Sequence, residues 1–233
     1  MGEKMWRECD SAIFNFQKGD EDLIDGLIAH LDTHAHLVYD FFEVFKPKAK
    51  VIIDIISTKK EYDDLYRKAR SLPGDMAIPG SFIGNYQKGV ITFLSLHDYK
   101  STTHRYKDAP FDEAVEYYRK TIFHEYVHFV NEIFNKEHNC SYTERYLSEG
   151  IATYLSGQWE NKYIPFDFSI EDILHRKDIS YGAYYLITKY FVENYDKRYV
   201  LEIFQSNRQA RELLKDELYD RAKEYYSRLN KID

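Results

Sequence analysis

The segment TIFHEYVHF, residues 121–129, carries two histidines four positions apart, with a glutamate directly after the first. A helix turns by about 100° per residue, so His124 and His128 project from nearly the same face, one turn apart. Their ring nitrogens can therefore meet at one tetrahedral zinc ion. Glu125 lies next to that face, where it can reach a metal-bound water without being a ligand. This H-E-x-x-H spacing predicts the metal helix of a zinc hydrolase.

The alternative to a metal site is an ordinary helix that carries one half-buried histidine and one solvated histidine. The residues on both sides of the motif, 122–123 and 129–130, are apolar. A catalytic helix must be buried, whereas a chance cluster of histidine and glutamate prefers water. The flanking residues therefore favour the metal site.

A catalytic zinc site needs three protein ligands and one open position. The segment RYLSEGIATYLSG, residues 145–157, offers Glu149 at the start of a helical pattern. Gly150 and Ala152 are small, and we expect them to let this helix approach the histidine helix closely. Thr153 lies one turn after Glu149, where its hydroxyl could orient a liganding histidine.

The third ligand has competitors on the sequence alone. Glu149 could instead pair with Arg145 one turn earlier, a surface ion pair of little consequence. Glu144 and Glu132 are the other carboxylates near the motif. Glu132 lies a turn beyond His128 on the same helix, which suits a surface position better.

Hydrophobic periodicity predicts a mixed α/β N-terminal part followed by helices. One strand is predicted at residues 49–57. A hairpin is predicted within residues 81–96, with a turn that ends in Gly89 and a second strand from Val90 to Leu96. The polar residues 98–109 are predicted to be a loop. Helices are predicted over residues 21–45, 58–72, 110–134, 143–158, 168–176, 180–195, 198–205 and 208–229.

HEYVH followed by YLSEGIATYLSG resembles the gluzincin metallopeptidases, most closely the compact peptidase MA-like group, which is related to the M1 aminopeptidases and the thermolysin-like enzymes. The shared pattern is H-E-x-x-H, about twenty residues, then L-x-E-G-x-A. The resemblance spans roughly residues 25–205. It includes KVIIDIISTKKEYDDLY as a strand–helix opening, GVITFLSL as an edge strand and SYGAYYLITKYFVENY as a late helix.

The resemblance implies an α+β, zincin-like fold in which residues 1–233 form a single catalytic domain. A mixed α/β upper lobe with a small sheet and an edge strand would span about residues 1–136. A helical lower lobe would span about residues 137–233, with the active-site cleft between the lobes. The strand that starts at Val90 is expected at the upper rim, where an extended substrate could add to it as a further strand.

The same resemblance implies roles for individual residues. His124, His128 and Glu149 become the ligands of one Zn²⁺ ion, and Glu125 becomes the general base. The related aminopeptidases carry a catalytic tyrosine in a Ser-Tyr motif that opens the late helix, and residues 180–181 match it. Tyr181 is therefore expected to donate to the oxyanion, with Tyr184 and Tyr185 as nearby alternatives.

The expected activity is that of a zinc-dependent peptidase acting on a peptide or protein substrate. The Gly-x-Met-Glu-Asn segment with which M1 aminopeptidases grip a free amine does not occur in the sequence. This favours an endopeptidase. Two other functions stay open: a non-catalytic gluzincin-fold binding domain that keeps zinc as a structural element, and a zinc hydrolase that acts on something other than peptides.

Composition restricts the partners and the compartment. The net charge of −7 argues against nucleic acid or an anionic membrane as the main partner. With two cysteines, no apolar leader and no run of about 20 apolar residues, a cytoplasmic location is expected. His30 and His34 form a second pair four apart, but Leu31 follows the first, and a solvated helix face is the prediction.

Overall fold

The structure is a computed structural model, and it describes residues 3–80, 82–102, 110–175 and 181–229. The chain divides into two compact units, Met1–Phe129 and Val130–Asp233. The first unit is mixed α/β around a small mixed sheet, and the regular elements of the second unit within the described residues are helices. This agrees with the α+β class predicted from the sequence.

The sheet of the first unit has five strands in the order β1-β2-β3-β5-β4. The three central strands, β2, β3 and β5, are parallel, and the outer strands β1 and β4 pair with them antiparallel. The strands are β1 (Lys4–Glu8), β2 (Ala12–Gln17), β3 (Val51–Ile56), β4 (Gly84–Gln87) and β5 (Val90–Leu94).

Burial alternates along the central strands, as a sheet with one covered face requires. In β3, Val51, Ile53 and Ile55 are buried while Ile52 is exposed. Helix α1 (Glu21–Phe42) connects β2 to β3 and buries one residue about every turn, which identifies its core-facing side. The buried residues of α1 are Ile24, Leu27, Leu31, Ala35, Val38 and Phe42.

Helix α2 (Lys59–Arg70) follows β3 and begins at a clear capping signal. Thr58 accepts a 3.3 Å hydrogen bond from the backbone N–H of Glu61, and Ser71 ends the helix in the left-handed conformation. Tyr62 is the buried residue of this helix. The predicted helix at residues 58–72 and the predicted strand before it are both confirmed, with shorter ends.

One prediction for the sheet was wrong, and two strands were missed. The strand that starts at Val90 is not an edge strand, because β4 pairs along its outer side through the tight turn at Lys88 and Gly89. Gly84 of β4 lies opposite Phe93, and a Cβ on Gly84 would approach the Phe93 ring to 2.1 Å, so a glycine lets the two strands pair here. The strands β1 and β2 were not predicted at all.

The polar segment at residues 98–109 is not wholly a loop. Helix α3 (Leu96–Thr102) occupies its first part, and residues 103–109 lie outside the described residues. The Ser95 side chain accepts from the backbone N–H of Asp98, and the Asp98 carboxylate accepts from the N–H of Lys59 at the start of α2. These local caps stabilise a short helix whose composition alone resembles a loop.

Helix α4 (Phe111–Glu137) contains the boundary between the units, so its last residues belong to the second unit. The predicted helices that follow are confirmed. They are α5 (Arg145–Leu155), α6 (Ile170–His175), α7 (Tyr181–Asn194), α8 (Lys197–Phe204), α9 (Asn207–Leu213) and α10 (Tyr219–Leu229), with a π-helical turn at Leu214–Leu218 between the last two. No helix within the described residues is both long enough and apolar enough to cross a membrane.

Candidate metal centre

The two histidines of the H-E-x-x-H motif face one another along α4. The Nε2 atoms of His124 and His128 lie 3.1 Å apart, and their ring planes are inclined by 83°. His124 is buried at 4% exposure, and His128 is half-buried. Both rings are therefore held by the helix with a nitrogen directed at a common point.

Glu149 of α5 completes a group that could hold a metal ion. The ligand atoms of His124, His128 and Glu149 all lie within 4.8 Å of one another. Among the described residues, these three side chains form the group that could bind a metal ion. For bonds of about 2.1 Å, tetrahedral zinc places its ligand atoms about 3.4 Å apart. At 3.1 Å, the two histidine nitrogens are close to this spacing.

The donor set of two histidines and one carboxylate is one that catalytic zinc uses, whereas magnesium and calcium prefer oxygen ligands throughout. The chemistry of the three side chains therefore fits a zinc ion.

The competing carboxylates are engaged elsewhere. Glu144 is buried at 7% exposure, and its Oε2 lies 2.9 Å from Nε of Arg211 in α9. Glu132 forms an ion pair with Lys136 on the surface of α4. Nε of Arg145 lies 3.8 Å from Oε1 of Glu149. The ion pair considered as the alternative role of Glu149 is therefore present, but it is weak.

A buried polar network holds the start of α5 against the last part of α4. Asn131 is 3% exposed, accepts a 2.9 Å hydrogen bond from Thr143 and donates a 3.3 Å hydrogen bond to Ser148. The Thr143 hydroxyl also lies 3.1 Å from Oδ1 of Asn135. Because Ser148 precedes Glu149, this network fixes the backbone that carries the carboxylate. Sequence reasoning missed Asn131, although its place one turn after His128 was a usable signal.

Gly150 and Thr153 of α5 make local contacts. A Cβ on Gly150 would lie 2.0 Å from Oγ1 of Thr188 and 2.6 Å from the carbonyl oxygen of Tyr184, so this glycine allows close packing against α7. Thr153 donates its hydroxyl to the backbone carbonyl of Glu149 at 2.6 Å.

Glu125 is bound by the edge strand of the sheet. The backbone N–H of Tyr86 in β4 donates a 2.9 Å hydrogen bond to Oε2 of Glu125. Burial, with a further contribution from the negative charge of Glu125, raises the pKa of the Tyr62 hydroxyl well above its usual value. The residue types did not indicate the Tyr86 contact, because its donor is a backbone N–H, a group that every residue except proline has.

Tyr181 is the first residue of α7, and its side chain is 44% exposed. The two alternatives are buried, Tyr184 at 2% and Tyr185 at 6% exposure. Residue 180, the serine of the Ser-Tyr motif, lies outside the described residues. Of the three tyrosines, Tyr181 therefore offers the accessible ring.

The second histidine pair is not the solvated face that was predicted. His30 stacks on His34 with ring centroids 4.3 Å apart and meets Phe123 of α4 edge-on at 5.4 Å. Burial, and then the nearby His34, lower the pKa of His30 to about 4. No carboxylate joins the pair in a metal-binding group within the described residues.

Comparison with protein-family models, curated proteins and solved structures gives no significant match.

Proposed function

We propose that the chain is a zinc-dependent peptidase with a zincin-like catalytic domain. The observation that carries the proposal is the convergence of His124, His128 and Glu149, with Glu125 next to the first histidine on the same helix. A structural zinc site is closed and has no use for a general base, whereas a catalytic site leaves one position open. Three ligands and an adjacent carboxylate therefore favour catalysis.

His124, His128 and Glu149 would hold the ion. Bound zinc supplies Lewis acidity, which polarises a carbonyl group and makes water more acidic. Glu125 takes the proton of the attacking water and delivers it to the leaving amine. Since Oε2 of Glu125 accepts the hydrogen bond from Tyr86, Oε1 would be the oxygen that carries the proton. The Tyr86 N–H thereby holds the base in one orientation.

The substrate would be an extended peptide that adds to β4. This strand, and not the one that starts at Val90, is at the edge of the sheet beside Glu125. The backbone of Tyr86 points away from β5, since its N–H reaches Glu125. Main-chain pairing with such an edge binds peptides with little dependence on their sequence. This supports an endopeptidase.

Tyr181 would donate its hydroxyl to the oxyanion that forms on the substrate. Its exposed ring supports this role, and the burial of Tyr184 argues against the alternative. Tyr181→Phe should lower kcat and kcat/KM together by about 10²-fold with little change in KM. An equal loss in Tyr184→Phe, without a loss of stability, would move the role to that residue.

The decisive experiment compares wild type with Glu125→Gln. Metal content is measured in both proteins, and both are given a diverse peptide library with and without a chelator. The variant should keep its zinc, because Glu125 is not a ligand, and cleavage should fall by about 10²-fold or more. Equal cleavage by the two proteins would refute the mechanism.

The alternatives predict other outcomes of the same experiment. A non-catalytic binding domain retains zinc in both proteins and cleaves nothing in the library. A zinc hydrolase of another class also leaves peptides intact, but its chelator-sensitive activity on esters or other amides is lost in Glu125→Gln.

A further inference from the structure

Strand β1 occupies the edge of the sheet opposite β4. Its pairing with β2 is bracketed by two backbone hydrogen bonds: Lys18 N–H donates to the Glu3 carbonyl, and Cys9 N–H donates to the Ala12 carbonyl, each at 3.0 Å. In an antiparallel pair, every second residue makes such bonds. Residues 3, 5, 7 and 9 therefore bond to β2, and the backbone groups of residues 4, 6 and 8 point to the outer edge.

The side chains of these three residues share one face of the sheet. Lys4, Trp6 and Glu8 are all exposed, whereas the intervening Met5 and Arg7 are half-buried. Trp6 is 67% exposed, a large apolar surface for a residue in a strand. The outer edge thus presents a cation, an aromatic ring and an anion in a row. No strand among the described residues pairs with the outer side of β1.

We propose that β1 pairs antiparallel with β1 of a second copy of the chain, about a twofold axis at Trp6. In this register, Lys4 of one protomer lies opposite Glu8 of its partner, and the reverse pair lies on the other side of the axis. The two Trp6 rings meet at the centre. Residues 4, 6 and 8 then form the hydrogen-bonded positions of the new pair, as their outward-facing backbone groups require.

The order of charges selects this register over those centred on Lys4 or on Glu8, and it alone pairs each Lys4 with a Glu8. An axis at Lys4 would place the two Lys4 side chains opposite one another, and an axis at Glu8 would oppose the two Glu8 side chains. Like charges directly opposed on a sheet are destabilising, whereas opposite charges and aromatic pairs stabilise it. Charged residues often protect an edge strand from pairing. In β1 their order makes the strand complementary to itself.

Glu8 can take part without losing its contact within the chain. Its Oε1 bonds to Lys50 Nζ at 2.7 Å, and the second oxygen, Oε2, can accept from Lys4 of the partner. An isologous interface of this kind closes at two copies, because each subunit has one such edge. The product is a dimer in which the two five-stranded sheets join into one continuous sheet.

The test uses charge reversal in complementary pairs. Sedimentation velocity over a range of concentrations is measured for the full chain, for Lys4→Glu and for Glu8→Lys. Each variant opposes like charges twice in its own dimer, so each should dissociate at least about tenfold more readily than wild type. A mixture of the two variants restores both opposite-charge pairs in a heterodimer. The mixture should recover the affinity of wild type, which also shows that both variants are folded.

Lys215→Glu and Asp216→Lys are matched controls, since both residues are exposed and lie in the second unit. They change the net charge by the same amounts and should leave the dimer intact. A wild type that stays monomeric at all concentrations would overturn the proposal, and so would a dimer that both β1 variants retain. A mixture that remains as monomeric as its components would overturn the register.

Discussion

The backbone N–H of Tyr86 donates a hydrogen bond of 2.9 Å to Oε2 of Glu125, so the edge strand β4 is bonded to the helix of the H-E-x-x-H motif. The bond joins the strand that would pair with a peptide substrate to the carboxylate that would move the proton of the attacking water. One oxygen of Glu125 is fixed by this contact. In the proposed mechanism, the strand would orient the base as well as the substrate.

Removal of this donor should impair catalysis without removal of metal. Tyr86→Pro has no N–H, and proline is tolerated where an edge strand faces away from its neighbour. We expect peptide cleavage about tenfold or more below that of Tyr86→Ala, which loses the same ring but keeps the donor. Zinc content should be equal in the two variants. Equal activity would show that the hydrogen bond has no part in catalysis.

Metal binding should depend on Glu149 and not on the carboxylates near it. Glu149→Gln removes a charged ligand, so zinc affinity should fall by more than about 100-fold. Mutation of a residue that only hydrogen-bonds to a ligand lowers metal affinity by about 10- to 100-fold. Titration with a zinc indicator measures this. Glu144→Gln and Glu132→Gln are the controls, because the first pairs with Arg211 and the second with Lys136. Loss of zinc in Glu144→Gln alone would make that residue the third ligand.

Gly150→Ala should destabilise the second unit. The added Cβ would lie 2.6 Å from the carbonyl oxygen of Tyr184, a backbone atom that cannot move away alone, and 2.0 Å from Oγ1 of Thr188. Overpacking of this kind costs about 1–3 kcal/mol, which thermal unfolding will detect as a lower Tm. Gly74→Ala is the matched control, since no atom beyond its chain neighbours lies within 4 Å of its Cβ. Equal Tm values for the two variants would contradict the close packing of α5 on α7.

The stability of the fold should depend on pH through His30. The pKa of His30 is lowered from 6.5 to about 4 in the folded protein, because burial disfavours the charged ring. Between these values the unfolded chain binds a proton that the folded chain does not, so stability is present above pH 6.5 and falls as the pH drops towards 4. Since the ring is only partly buried, we expect a loss of about 1 kcal/mol.

Tm measured from pH 7 to pH 4 will check this. His30→Gln should lose less stability than wild type across the window, whereas His36→Gln, which alters an exposed histidine, should follow wild type. Parallel curves for wild type and His30→Gln would show that the His30 ring titrates as it does in the unfolded chain.

Local periodicity by itself determined much of this protein. The spacing of His124 and His128 places both rings on one face of any helix that contains them, because the α-helix repeats every 3.6 residues. The same periodicity predicted the positions of α1, α2 and the helices of the second unit. These features depend on residues within one or two turns of each other, so the sequence contains the information directly.

Contacts between distant segments were decided only by the tertiary structure. The sequence places Glu144 five residues from Glu149 as a competing carboxylate, but it does not indicate that Arg211, remote along the chain, pairs with Glu144. The strand from Val90 is internal because β3 and β4 pair with its two sides, and strand order depends on pairings that no local pattern encodes. The Tyr86 N–H is a backbone group, so nothing in the residue types indicated that it would reach Glu125.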